Sequence, residues 1–200
     1  MSTAAEIRTR LTRPWQHGTH ADFRGVTCEA PLDLSGVAVD GVDFTGARFL
    51  GGIDASGARF DGLAWFRDVV IEGPARFDGA VFMNDARFEG ARFQRPAGFR
   101  NTEFRGIGRF DGAQFPEGAD LSGTTCYGNF SLQSVTGRGT VSFRGSEWLG
   151  GLWCDNASLP DTVDLSATQV HGRLWLRRAR RSNAALHPSD FGMSFGYTYI

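Results

Sequence analysis

Large apolar residues, mostly Phe, recur along the chain at steps that alternate between five and six residues from Phe44 to Leu176. The middle stretch runs Phe66, Ile71, Phe77, Phe82, Phe88, Phe93, Phe99, Phe104, Phe110, Phe115, Leu121, Cys126. Two positions before each stands a small or apolar residue (Ala75, Ala80, Ala86, Ala91, Ala97), and the residue between is usually polar (Arg76, Arg87, Arg92). In–out–in over three residues is the alternation of a very short strand. A polar residue and often Gly follow, as in Asp78-Gly79, Glu89-Gly90 and Asp111-Gly112; Gly there suits a corner that needs positive φ. Each repeat therefore reads as one short strand and one tight corner, and a fixed short period of this kind marks a solenoid. An 11-residue apolar period can also supercoil helices, but 27 glycines in 200 residues exclude that solution.

Residues on one face should recur every 22 residues, with the extra residue bulging at alternate corners such as Met83-Asn84-Asp85. The early steps Leu34, Val39, Phe44, Phe49 run at five. With Phe23 and Cys28 ahead of them the series predicts about seven coils and, at ~4.8 Å per coil, a rod roughly 34 Å long. One outward row follows directly: Asp43, Trp65, Arg87, Arg109, Ser131, Trp153, Trp175. It puts Trp65 beside Arg87, a cation–π geometry, and Trp153 beside Trp175.

The segments "VDFTG", "ARFDG", "ARFEG", "ADLSG" and "VDLSA" resemble the pentapeptide-repeat family, whose repeat is A-(D/N)-(L/F)-x-x. The resemblance spans about residues 21–176. It implies an all-β fold, a right-handed quadrilateral β-helix with one pentapeptide per side. The expected organisation is an N-terminal cap or tail over 1–22, the β-helix over 23–176, and a basic and aromatic segment over 177–200 that either caps the rod or dimerises it. Thr3 and Glu6 have capping-box spacing ahead of Ile7 and Leu11, which predicts a short helix over 3–12 closing the N-terminal end.

The formal net charge is −1, and every basic residue other than His is Arg. No apolar run has the length of a membrane span, and "MSTAAEIRTRLTRPW" lacks a signal-peptide core, so a single soluble cytoplasmic domain is expected. Cys28, Cys126 and Cys154 fall on inward positions, where they read as buried thiols filling core space. No nucleophile, phosphate-loop or metalloprotease motif is present. Of the four histidines, His17, His20, His171 and His187, the pair His17 and His20 lies before the first repeat and reads as solvated rather than metal-bound, and His171 sits at a corner after inward Val170; the outward Asp120 and Asp164 suit local hydrogen bonds at turns. A Phe-filled bore offers no cleft for chemistry. The chain is therefore expected to need no cofactor or metal and to act, without catalysis, through an outer face or an end.

The candidate binding residues are Trp153 and Trp175 with Phe191, Phe195, Tyr197 and Tyr199 at the C-terminal end, and Arg87 and Arg109 on the same row as the Trp pair. They favour a protein partner and self-association through the C-terminal end. The family resemblance implies a more specific alternative, mimicry of duplex DNA and binding of DNA gyrase. Near-neutral charge opposes it, because a DNA mimic should be densely acidic. Direct nucleic-acid binding would fall to Arg173–Arg181, and a biosynthetic enzyme is the remaining alternative.

Overall fold

A computed structural model describes residues 3–13 and 20–200. His17 lies outside the described residues. The chain winds into a four-sided solenoid whose sides are ladders of parallel two- or three-residue strands. Face 1 carries Ala21–Asp22, Val42–Asp43, Ala64–Trp65, Ala86–Arg87, Gly108–Arg109, Phe130–Ser131, Leu152–Trp153, Leu174–Trp175 and Thr198–Tyr199. Face 2 runs from Thr27–Cys28 to Arg180–Arg181, face 3 from Leu32–Asp33 to Thr140–Ser142, and face 4 from Ala38–Val39 to Met193–Ser194. Cα partners lie 22 residues apart through the middle, as in Ala64, Ala86 and Gly108. They lie 21 apart in the first coil, where Ala21 pairs with Val42. The five-residue steps at the N-terminus and the five–six alternation after it thus become coil lengths.

The rod winds about eight turns, one more than the repeats predict. The added coil comes from the segment after Leu176. Arg180–Arg181 pairs antiparallel with Ala184–Ala185, a 3-10 turn follows over Pro188–Asp190, and Met193–Ser194 and Thr198–Tyr199 then rejoin faces 4 and 1. Close approach of glycines lets this coil lie flush. A Cβ on Gly196 would fall 1.5 Å from the carbonyl oxygen of Gly172, and one on Gly128 would fall 2.5 Å from that of Gly106.

Phe rings fill the bore. Phe66, Phe77, Phe88, Phe99 and Phe110 are fully buried. Rings one coil apart stack: Phe66 on Phe88 at 4.8 Å, Phe88 on Phe110 at 4.8 Å and Phe77 on Phe99 at 4.9 Å between centroids. Rings on opposite sides of one coil meet edge to face across the bore, as Phe88 and Phe99 do at 5.5 Å. Both are the favoured arrangements of an aromatic quadrupole. The small residue two positions earlier makes the room, with Ala75, Ala86 and Ala97 also buried.

A second device closes the corners. Where an outward Asp is followed two residues later by Ser or Thr, its Oδ1 accepts the backbone N–H of that residue. This occurs at Asp33–Ser35, Asp43–Thr45, Asp54–Ser56, Asp120–Ser122 and Asp164–Ser166. Such a bond offers the turning backbone an internal partner. Hydrogen bonds from the serines hold the carboxyls of Asp33 and Asp164 below the usual range. Burial works against the same effect at Asp120, where the bonds from Ser122 and Arg100 prevail.

At the other end, helix α1 (Ala4–Leu11) lies across the first coil. Thr3 Oγ1 accepts from Glu6 N–H and the Glu6 carboxylate accepts from Thr3 N–H, a reciprocal cap. Ile7 and Leu11 are buried against the core, and the Arg10 guanidinium lies 4.4 Å from the Phe23 ring centroid.

Candidate association surfaces

Face 1 presents one outward residue per coil, and the ladder aligns Asp43, Trp65, Arg87, Arg109, Ser131, Trp153, Trp175 and Tyr199 in register. In its middle the row is neutralised locally. Arg87 Nε lies 3.0 Å from Glu89 Oε1, and Arg109 Nε 3.6 Å from Asp111 Oδ2. Two guanidiniums lie over the Trp65 ring, Arg67 at 4.7 Å and Arg87 at 5.9 Å from its centroid. Arg87 and Arg109 are therefore half-buried and already paired.

The C-terminal end of the same row is aromatic. Trp153 and Trp175 are half-buried neighbours on adjacent coils, and Tyr199 stacks on Trp175 at 4.0 Å and 11°. The final coil extends the row rather than covering it. Phe195 stacks on the His171 ring at 4.8 Å yet stays 60% exposed, and Tyr197 is 79% exposed. Met193 and Ile200, which the sequence reading did not single out, add to this apolar end. The position of Met193 on face 4 follows only once the coil after Leu176 is seen to continue the ladder.

Phe191 needs correcting. Expected on the association surface, it is 6% exposed and meets Trp148 edge to face at 6.5 Å. The 3-10 turn at Pro188–Asp190 aims it inward, where with Leu186 it plugs the last coil. Its role is to close the core.

The thiols occupy core sites. Cys126 lies on face 4 and Cys154 follows the face 1 strand Leu152–Trp153, both buried. Burial pushes each thiol up to about 12, so neither is a nucleophile at neutral pH. His171 Nε2 is 3.0 Å from Glu147 Oε1 on face 4, a surface pair rather than the base of a triad. Asp120 and Asp164 serve their own turns, as described above.

The alternation of small and large inward residues, read coil by coil, matches the family model described as pentapeptide repeats, with nine copies over residues 23–70, 55–103 and 88–136. The chain belongs to the pentapeptide-repeat family. A comparison with proteins of curated function found no match. Among solved structures, this pentapeptide-repeat chain is similar to trypsin-treated QnrB1, a plasmid-mediated fluoroquinolone resistance protein. The identity is 18%, over 90% of this chain and 92% of that one, with a TM-score of 0.26. Among the described residues no helix is long and apolar enough to cross a membrane.

Proposed function

We propose that this pentapeptide-repeat protein is a non-enzymatic binding module that associates with protein, beginning with a second copy of itself, through its C-terminal end. The exposed aromatic end carries this reading. Met193, Phe195, Tyr197, Tyr199 and Ile200 are exposed together, around strands Met193–Ser194 and Thr198–Tyr199 that are hydrogen-bonded on one side only. Unpaired strand edges beside apolar side chains favour edge-to-edge pairing. Burying each ring contributes about 1.5–3 kcal/mol, so several rings across a two-fold axis suffice for a stable dimer.

Light scattering tests this. The intact protein is expected to run as a dimer, and the double variant Phe195→Ser, Tyr197→Ser as a monomer of nearly unchanged melting temperature, since both side chains lie outside the core. An intact protein that is monomeric at high concentration would sink the self-association.

The gyrase-binding alternative draws its support from face 3, whose outward row carries Asp33, Asp54, Asp120 and Asp164. Their lowered carboxyls stay charged at neutral pH. Arg76 interrupts this row and Arg100 reaches over it to Asp120, which dilutes the resemblance to a phosphate backbone. Inhibition of gyrase supercoiling by the protein, abolished by Asp54→Asn with Asp120→Asn, would favour this alternative.

A further inference from the structure

A groove of about 590 Å³ runs along face 2 at its corner with face 3, across the coils of Gln114, Thr136, Ser158 and Ser182. A smaller depression beside Arg92 and Gln94 shares Gln114 and Pro116 with it, so the two are continuous. The groove is built by the same period as the core. Pro116, Arg138 and Pro160 stand one coil apart, each just after an inward position. Its centre coincides with a lapse in the large-residue series, at Gly137. A Cβ there would already lie 3.1 Å from Val141 Cγ2 and 3.5 Å from Pro160 Cδ, so the glycine is not an unfilled core site.

Charge is distributed differently on this surface. On the other faces most arginines stand beside a carboxylate, as Arg59 with Asp61, Arg76 with Asp54, Arg87 with Glu89 and Arg105 with Glu103, and the exceptions Arg67, Arg144 and Arg173 are spread over different coils. Along face 2 the outward row runs Arg92, Gln114, Thr136, Ser158, Arg180, all exposed, with Arg138 at the groove itself. Among the described residues Arg92, Arg138 and Arg180 have no carboxylate in ion-pair range; the carboxylates on this side stand with other arginines, Glu72 with Arg48, Glu117 with Arg95 and Asp161 with Arg181. Three uncompensated cations flank a hydroxyl- and amide-lined trough.

We propose that this groove binds an extended acidic segment of a partner protein, its carboxylates on Arg92, Arg138 and Arg180 and its uncharged residues over Thr136 and Ser158. The proposal rests on the reading of the chain as a protein-binding module and names the face and the partner chemistry. Arg92 and Arg180 are four ladder steps apart, roughly 19 Å, which about six extended residues span. The planar guanidinium fork matches carboxylate geometry. Nucleic acid fits less well, since a strand carries a charge at every nucleotide and the middle of this row is uncharged.

The experiment is fluorescence anisotropy at low salt with a fluorescein-labelled dodecapeptide of alternating Glu and Gly, its Gln–Gly counterpart, and oligo-dT as competitor. The Glu–Gly peptide is expected to bind at least about tenfold more tightly than the Gln–Gly peptide. Arg92→Glu with Arg138→Glu should weaken it by a similar factor, while the charge-matched control Arg59→Glu with Arg105→Glu on face 4 stays within about twofold. All four side chains are exposed, so the variants should melt with the wild type. Equal binding of the two peptides, or binding indifferent to the double variant, would overturn the proposal. Displacement by oligo-dT at lower concentration than by unlabelled peptide would reassign the groove to nucleic acid. The Phe195→Ser, Tyr197→Ser monomer should bind the Glu–Gly peptide as the dimer does. Loss of self-association and loss of the groove are thus read separately.

Discussion

The coils from Phe60 to Phe115 and the coils after Phe130 follow the same winding rule with different materials. In the first region every side contributes a ring, stacks run along the axis at under 5.3 Å, and the outer arginines on face 1 are held by their neighbours' carboxylates. In the second the bore is filled mainly by Leu152, Cys154, Leu159, Leu174 and Leu176, with Phe143, Trp148 and Phe191 its buried aromatics. Other aromatics stand outward there, at Trp153, Trp175, Phe195, Tyr197 and Tyr199. The backbone tolerates both because the ladder sets the coil spacing, whatever fills it. The first region is built for its own stability; the second leaves apolar surface for something else to cover.

Core truncation should separate the two regions most sharply. Phe88→Ala removes a ring stacked on both axial neighbours and should cost about 3–5 kcal/mol by chemical denaturation. Leu176→Ala, one coil from the open end, should cost nearer the lower limit of about 2 kcal/mol. Equal costs would show the second region packed as tightly as the first. The glycines provide the next contrast. Gly79 has φ +66° and open space around it, whereas Gly128 faces the Gly106 carbonyl. Gly79→Asn should be nearly neutral, since Asn101 and Asn156 already occupy left-handed corners. Gly128→Asn must push two coils apart and should cost about 1–3 kcal/mol.

Acid should act on the whole rod more gently. The carboxyls of Asp33, Asp155 and Asp164 are lowered in the fold by the groups that hydrogen-bond them. Their contribution is therefore complete above the unfolded value near 4 and fades as the pH falls through the lower folded values. Melting temperature should be flat from neutral pH down to about 5 and decline below about 4. A decline beginning near pH 6 would mean that histidine, not aspartate, controls acid unfolding. The smallest signal is chemical. Cys28, Cys126 and Cys154 should be silent to a thiol reagent in the native protein and react together on denaturation, because all three are buried.

The interior and the face 1 row were legible in the sequence because a strand period of two and a coil period of 22 fix both which residues point in and which outward residues are neighbours. Trp65, Arg87, Trp153 and Trp175 fall where that counting puts them. The final coil was not legible. Its partners lie 24 residues away, as in Leu174 with Thr198, because the hairpin Arg180–Ala185 and the Pro188–Asp190 turn lengthen it. That is why Phe191 read as a surface residue. A column of glycines, Gly106, Gly128, Gly150 and Gly172, leads to Gly196 and was the available signal. The face 2 groove was missed for a different reason: Gly137 reads as a gap in a hydrophobic series, and a gap does not announce that the arginines around it lack partners.

A coil that closes on itself in 22 residues also governs how such a chain can change over evolutionary time. Duplicating or deleting one whole coil, for example Ala86 to Ile107, lengthens or shortens the rod and returns every later side chain to its own face. An insertion of half that length turns the remainder of the molecule half-way round, carrying the C-terminal aromatics to the opposite side from Asp43 and Trp65. Length and surface chemistry are thus inherited as separable traits, and the tandem array can gain reach without forfeiting a surface it already uses.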